Sequence, residues 1–218
     1  MTLIAAMMMA FSTAHAAGIT SESWNTGRQK SLNATPDLRI QVQRLLEGLL
    51  PDADLVTPMV GDAYFADING DSNLELLATV DYSGRGFYNN VVVVQQQQGQ
   101  YAWTEARNNG RSIESLRTHL VDADGDGKQE LVLERFMDRY EGARRVPTEI
   151  VIYRWNERGF KDDSDAFPEY YRTQVVPALE KKLIEASSKP STSRAVDDSE
   201  VFALEAELSR AKRRGRIK

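Results

Sequence analysis

The chain has 218 residues, 41% of them hydrophobic and 27% charged, with 14 glycines, 7 prolines and no cysteine. This is the balance of a globular protein, and it excludes disulfides, thiol catalysis, thiolate metal sites and lipid attachment at cysteine. The 27 basic and 32 acidic side chains give a formal charge of −5, but six of the basic ones (Arg210, Lys212, Arg213, Arg214, Arg216, Lys218) crowd into the last nine positions, leaving 21 basic against 32 acidic over residues 1–209. The body of the chain is acidic, so charge argues against nucleic acid as a partner.

At the N-terminus, Leu3 to Phe11 form an uncharged apolar run that leads to Ala14-His15-Ala16, a small-x-small signal peptidase site. Residues 1–16 are therefore expected to be a removed signal, and the mature protein to be periplasmic or secreted. The competing reading is a buried N-terminal helix. Past the signal, no stretch reaches the roughly 20 apolar residues of a spanning helix. Residues 17–57 read as a polar segment followed by a helix, opened by Thr35 as N-cap and Pro36 in the first turn. Leu38, Val42, Leu45, Leu46 and Leu49 give it one apolar face, and Pro51 ends it.

From Pro58 to about residue 166 the pattern changes to short β-type runs broken by Gly, Asn and Asp. Two segments in this region align. Asp67-Ile68-Asn69-Gly70-Asp71-Ser72-Asn73-Leu74-Glu75-Leu76-Leu77 matches Asp122-Ala123-Asp124-Gly125-Asp126-Gly127-Lys128-Gln129-Glu130-Leu131-Val132 at an offset of 55. A second apolar strand follows in each copy, Val91 to Val94 and Ile150 to Tyr153, at an offset of 59; each copy then closes with a turn and an aromatic, Tyr101 or Phe160. Each unit thus reads as acidic loop, strand, variable connection, strand, turn, strand.

The spacing within the acidic loops points to calcium. Carboxylates or amides at positions 1, 3 and 5 of a tight loop converge on one point, a carbonyl at 7 adds a ligand, and an acid at 9 closes the far side. The first set is Asp67, Asn69, Asp71, the carbonyl of Asn73 and Glu75; the second is Asp122, Asp124, Asp126, the carbonyl of Lys128 and Glu130. All are oxygen donors, which suit a hard cation and disfavour zinc or copper. An EF-hand requires Glu at position 12, where these loops have Ala78 and Leu133, and it requires a helix where an apolar strand follows. The alternative for each loop is an Asp/Gly-rich turn without an ion.

The text Asp-x-Asp-Gly-Asp-Gly-x-x-Glu-Leu-Val at 122–132, with Asp-x-Asn-Gly-Asp-Ser-x-x-Glu-Leu-Leu at 67–77, resembles the FG-GAP or VCBS type of repeat known from the integrin alpha-chain propeller and from many exported bacterial proteins. The resemblance implies loops that hold Ca²⁺ between the strands of a blade, and a β-propeller. It covers about residues 67–160, and Ser72 stands where a Gly is usual. Two visible units fall short of the four blades a closed propeller generally needs. The expected fold is mainly β with flanking helices: an antiparallel FG-GAP/VCBS-like repeat sheet or partial β-propeller, preceded by an N-terminal helix and followed by C-terminal helices.

Residues 167–218 are expected to be helical, with one helix around Ala178–Glu185, Pro177 near its start, and a second striped by Val201, Leu204, Leu208 and Ala211. A linker from Ser187 to Ser193 separates them, and the basic tail suits the second helix's C-terminal dipole.

Other residues read as structural. His119 is the one histidine beyond the signal and reads as a plain strand residue; Gly84-Arg85-Gly86 reads as a flexible hairpin tip, and Gln95 to Gln98 as a polar edge. Tyr101, Trp103, Tyr153 and Trp155 read as sheet packing, with a sugar-stacking platform as the alternative. The expected function is a non-enzymatic calcium-binding module for protein or glycan recognition, with exposed strand edges as a route to a homo-oligomer. The rival is a carbohydrate-active hydrolase or lyase using carboxylates such as Glu105, Glu134 or Glu149.

Overall fold

The computed structural model describes residues 36–49, 58–97, 100–137, 146–156, 159–188 and 194–217. The expected signal, the polar segment after it and the Thr35 cap lie outside the described residues. The protein is mainly β, with two four-stranded antiparallel sheets and a few helices, and neither sheet closes into a barrel. The chain divides into two compact units: Met1–Arg107 with Ser112–Arg117, and Asn108–Arg111 with Thr118–Lys218.

In the first unit, helix α1 (Pro36–Leu49) precedes strands β1 (Met59–Ala66), β2 (Glu75–Asp81), β3 (Asn90–Gln97) and β4 (Gln100–Ala106), which pair in sequence order. Four of the five residues of the expected stripe pack as the helical spacing reads, and the side chain of Leu38 lies outside what is described. Val42, Leu45, Leu46 and Leu49 of α1 are buried against Ala63 and Phe65 of β1, Leu76, Ala78 and Val80 of β2, and Val92 and Val94 of β3. The strand residues alternate along each strand, so they share one sheet face. Gln43 fixes how helix and sheet join: its amide donates to the Pro58 carbonyl at 2.6 Å and accepts from the Val60 N–H at 2.9 Å.

In the second unit, β5 (Leu120–Val121), β6 (Glu130–Phe136), β7 (Thr148–Asn156) and β8 (Gly159–Asp162) again pair in sequence order. The segment Asn108–Arg111 continues this sheet beyond the short β5. Gly110 bridges Arg135, the Phe136 N–H donates to the Asn109 carbonyl at 2.7 Å, and the buried Asn108 amide donates to the Glu134 carbonyl at 3.0 Å.

The registers of the two sheets correspond. Ala66 faces Glu75 as Val121 faces Glu130; Leu76 faces Val94 as Leu131 faces Tyr153; Gln96 faces Tyr101 as Trp155 faces Phe160. The offsets of 55 and 59 read from the sequence are thus the offsets of the strand ladders.

Two helical expectations need correction. The first C-terminal helix, α2, starts at Pro168, runs through a π-helical turn at Tyr171–Val175 and continues over Val176–Ser188, so Pro177 lies inside it rather than at its start. A proline within a helix lacks the N–H donor and crowds the carbonyl four residues back. The wider turn just before Pro177, in which the Val176 N–H donates to the Tyr171 carbonyl, gives the ring its space. Ser187 and Ser188 belong to α2 rather than to a linker, their hydroxyls donating to the carbonyls of Leu183 and Glu185; residues 189–193 lie outside the described residues.

The second C-terminal helix, α3 (Arg194–Arg214), carries the expected stripe. Leu204 and Ala211 are buried with Ile152, Phe167, Tyr171 and Leu179, and Val201 and Leu208 pack beside them. Tyr171 is 1% exposed, and its hydroxyl donates to the Ile150 carbonyl at 2.7 Å, joining α2 to β7. Among the described residues, no helix is long and apolar enough to cross a membrane.

Candidate metal centre

Each acidic loop joins the first two strands of its sheet and is folded by its own carboxylates. In the first, both oxygens of Asp67 accept backbone N–H bonds, from Gly70 at 2.7 Å and from Ser72 at 2.8 Å. Asn69 accepts from the Asp71 N–H at 2.9 Å, and Asp71 from the Asn73 N–H at 2.7 Å. Glu75, the first residue of β2, reaches back to accept from the Ile68 N–H at 3.2 Å and the Asn69 amide at 3.3 Å. Short Asx side chains mimic a turn of backbone in this way, which is why alternate Asp and Asn residues coil the chain.

The second loop repeats the arrangement. Asp122 accepts from Gly125 at 2.7 Å and Gly127 at 3.0 Å, Asp124 from Asp126 at 3.3 Å, Asp126 from Lys128 at 2.8 Å, and Glu130 from Ala123 at 3.0 Å. The backbone turns alike, with φ of 76° and 79° at Gly70 and Gly125, and 67° and 87° at Ser72 and Gly127. The left-handed conformation costs an L-residue with a Cβ roughly 1–2 kcal/mol, part of which Gly returns as backbone entropy. Ser72→Gly is therefore expected to stabilise the protein by about 0.5–1 kcal/mol in urea unfolding; no gain would mean the turn is relaxed with Ser in place.

Oxygens of Asp122, Asp124 and Glu130 lie within 4.8 Å of one another, a group that could hold a metal ion. Asp126 is not part of this group. The first loop has Asn69 in the place of Asp124, so only Asp67 and Glu75 supply charge at the matching positions. Asn73 and Lys128, expected to ligate through their carbonyls, take part here through the N–H groups they donate.

Electrostatics separate the inner acid of each loop from the outer ones. Glu75 is 4% and Glu130 1% exposed, whereas Asp122, Asp124 and Asp126 face solvent. Burial, reinforced by the nearby charges of Asp71 and Asp67 and opposed by the Ile68 N–H, pushes the Glu75 carboxyl up to about 7. Burial also raises Glu130, opposed by the Ala123 N–H and the Arg154 charge. A buried carboxylate held by few donors favours a proton or another cation.

Arg154 of β7 was not anticipated as a site residue. Its guanidinium pairs with Asp124, lies 3.5 Å from Glu130 Oε1 and 3.7 Å from Asp163 Oδ2, and stacks 4.3 Å above the Phe167 ring. The sequence relates it to a position in the first repeat, but only strand pairing brings either residue to its loop. The 59-residue offset maps Arg154 onto Gln95, and Gln95 hydrogen-bonds Glu75 in the first sheet. Asp81 likewise carries no sequence pattern that singles it out. Its buried carboxylate accepts from the Ser83 N–H, the Ser83 hydroxyl and the Gly86 N–H, so the Gly84-Arg85-Gly86 tip is organised by a side chain at the end of β2.

The remaining candidates take structural positions. His119 sits in the turn before β5 rather than within a strand; its carbonyl accepts from the Val132 N–H at 2.8 Å, and its Nδ1 lies 3.2 Å from the Thr118 hydroxyl. Tyr101 and Trp103 pack against the first core, Tyr153 is 6% exposed, and Trp155 meets its ladder partner Phe160 edge-on at 5.4 Å. The basic tail is drawn into ion pairs. Arg210 and Arg214 reach Glu149, Arg214 also reaches Asp165, and Lys212 reaches Glu180.

Among the carboxylates considered for hydrolysis, Glu105 pairs with Arg107 and Glu134 with Arg111, each at 3.0 Å. Glu134 and Glu149 border a cavity of about 200 Å³ between the second sheet and helices α2 and α3. Burial pushes the Glu149 carboxyl up, but the hydrogen bonds and charges of Arg135 and Arg210 outweigh it and hold Glu149 below the usual carboxylate range, the wrong direction for a proton donor.

Comparison with protein-family models, curated proteins and solved structures found no match.

Proposed function

We propose that this protein is an exported, non-enzymatic calcium-binding repeat module, of the FG-GAP or VCBS kind, that presents its sheets to a protein or glycan partner while the ion stiffens the loops. The observation that carries the reading is the acidic loop built twice, with the same side-chain to backbone bonds and only oxygen donors at its ligand positions. One antiparallel four-stranded meander per loop is the unit that a propeller blade requires. In the calcium-bound form the ligands are Asp67, Asn69, Asp71, Glu75 and the Asn73 carbonyl, and Asp122, Asp124, Asp126, Glu130 and the Lys128 carbonyl. Calcium neutralises the mutual repulsion of these acids and supplies the countercharge that burial makes costly to leave out.

The test is thermal unfolding in EDTA and then in 10 mM Ca²⁺, with Mg²⁺ as control. Extracellular sites of this kind bind at roughly 10⁻⁴–10⁻³ M, so each occupied site gives the native state about 1.5–3 kcal/mol and raises the melting temperature by about 3–12 °C. Substituting a loop aspartate also removes its backbone bonds. The diagnostic is therefore the calcium increment, which Asp67→Asn and Asp122→Asn are expected to reduce, and not the starting temperature. Equal melting in Ca²⁺, Mg²⁺ and EDTA would overturn the proposal and leave the loops as turns.

A further inference from the structure

We infer that Arg154 is the resident cation of the second loop and sets its calcium affinity below that of the first. The inference rests on the calcium reading of the loops just proposed. The two loops share their backbone turns, register and side-chain to backbone hydrogen bonds, so what distinguishes them comes from side chains within the loops and around them. The second loop has the larger formal charge, with Asp124 where the first has Asn69. Charge alone would make it the tighter calcium site.

The neighbouring strand reverses that order. Leu76 faces Val94 and Leu131 faces Tyr153, so the next residue along β3 or β7, Gln95 or Arg154, is the equivalent position beside the loop. Gln95 offers Glu75 a neutral hydrogen bond. Arg154 places a full positive charge on Asp124 and Glu130, two of the three acids whose oxygens converge. The guanidinium is not there by the loop's attraction alone: Asp163 holds its other side at 3.7 Å, and the Phe167 ring supports its face at 4.3 Å. An arginine between carboxylates on an aromatic face is held by charge and by stacking together.

Calcium entering this loop meets a like charge at contact range and has to displace the guanidinium from Asp124 and Glu130. A guanidinium cannot lose its proton to escape the conflict. The acids of the second loop are thereby partly neutralised without an ion, while Gln95 brings no charge to those of the first.

The test is calcium titration of the full chain by calorimetry, with parallel unfolding in EDTA, for the wild type, Arg154→Gln, Arg154→Lys and the reciprocal Gln95→Arg. Arg154→Gln is expected to tighten second-loop binding at least tenfold, and adding Asp122→Asn is expected to abolish the gain. Arg154→Lys keeps the charge but not the fork or the stacking, and is expected to tighten second-loop binding less than Arg154→Gln does. Gln95→Arg is expected to weaken the first loop at least tenfold, a readout that survives even if Arg154→Gln fails to fold. Calcium binding that is lost in Asp67→Asn but indifferent to both Gln95→Arg and Arg154→Gln would overturn this inference and leave the proposed function standing. Absence of calcium binding in every variant would overturn both.

Discussion

Replacing Glu149 by alanine is expected to cost the second unit about 3 kcal/mol of stability at pH 7. Glu149 is 9% exposed at the head of β7, and three guanidiniums converge on it: Arg135 at 2.7 Å, Arg210 at 2.6 Å and Arg214 at 3.5 Å. Arg135 and Arg210 are partly in water and lose little when the acid goes. Arg214 is as buried as Glu149 and is left with Asp162 at 3.9 Å and the exposed Asp165. Removing one partner of a buried pair strands the other charge, which explains an effect larger than the net worth of the bridge.

The same carboxylate sets a pH dependence. Its pKa is held below the unfolded value, so its contribution is present above about pH 4.5 and lost as pH falls through the folded value. Urea unfolding at pH 7 and at pH 3 is expected to show Glu149→Ala much weaker than wild type at pH 7 and closer to it at pH 3. A constant gap would mean that Glu149 acts through packing rather than charge.

Gly110→Ala is expected to be nearly as damaging, by about 2–3 kcal/mol, for a steric reason. A Cβ at residue 110 would stand 1.8 Å from the Glu134 carbonyl oxygen and 2.7 Å from the Asn108 amide nitrogen. The first is a backbone atom of β6 and cannot rotate aside. The segment from Asn108 would have to leave the strand, giving up its bridge to Arg135 and the bond from the Phe136 N–H. Hydrogen exchange at the Phe136 amide is the direct measure. Faster exchange there with the rest of β6 protected is the expected result, and unchanged exchange would show that the strand absorbs the methyl.

These two sites show different limits of sequence reading. Arg210 and Arg214 read as part of a basic tail suited to a helix end, yet their partners are Glu149, Asp162 and Asp165, 49 to 65 positions away. A run of charge in sequence says nothing about which distant acids the fold brings to it. Gly110 was one glycine among fourteen, and only the approach of the Glu134 carbonyl distinguishes it.

What was legible in the sequence was local. The α1 stripe, the strand runs and the acidic loops follow from periodicities of 3.6 and 2 residues and from Asx side chains bonding to N–H groups two to five residues on, interactions that neighbours in the chain determine among themselves. The repeat offsets were equally legible, because equivalent ladders need equivalent residues. The tertiary structure alone decided the electrostatic state of the loops. Burial of Glu75 and Glu130, and the choice of Gln95 or Arg154 as neighbour, depend on strand pairing between residues about 20 positions apart, as in Leu76 with Val94 and Leu131 with Tyr153. It also decided the fate of Pro177, a helix breaker on local grounds that a π turn and the packing of Tyr171 and Val175 keep inside α2. Local preference proposes an element, and burial decides which of its charges and breaks survive.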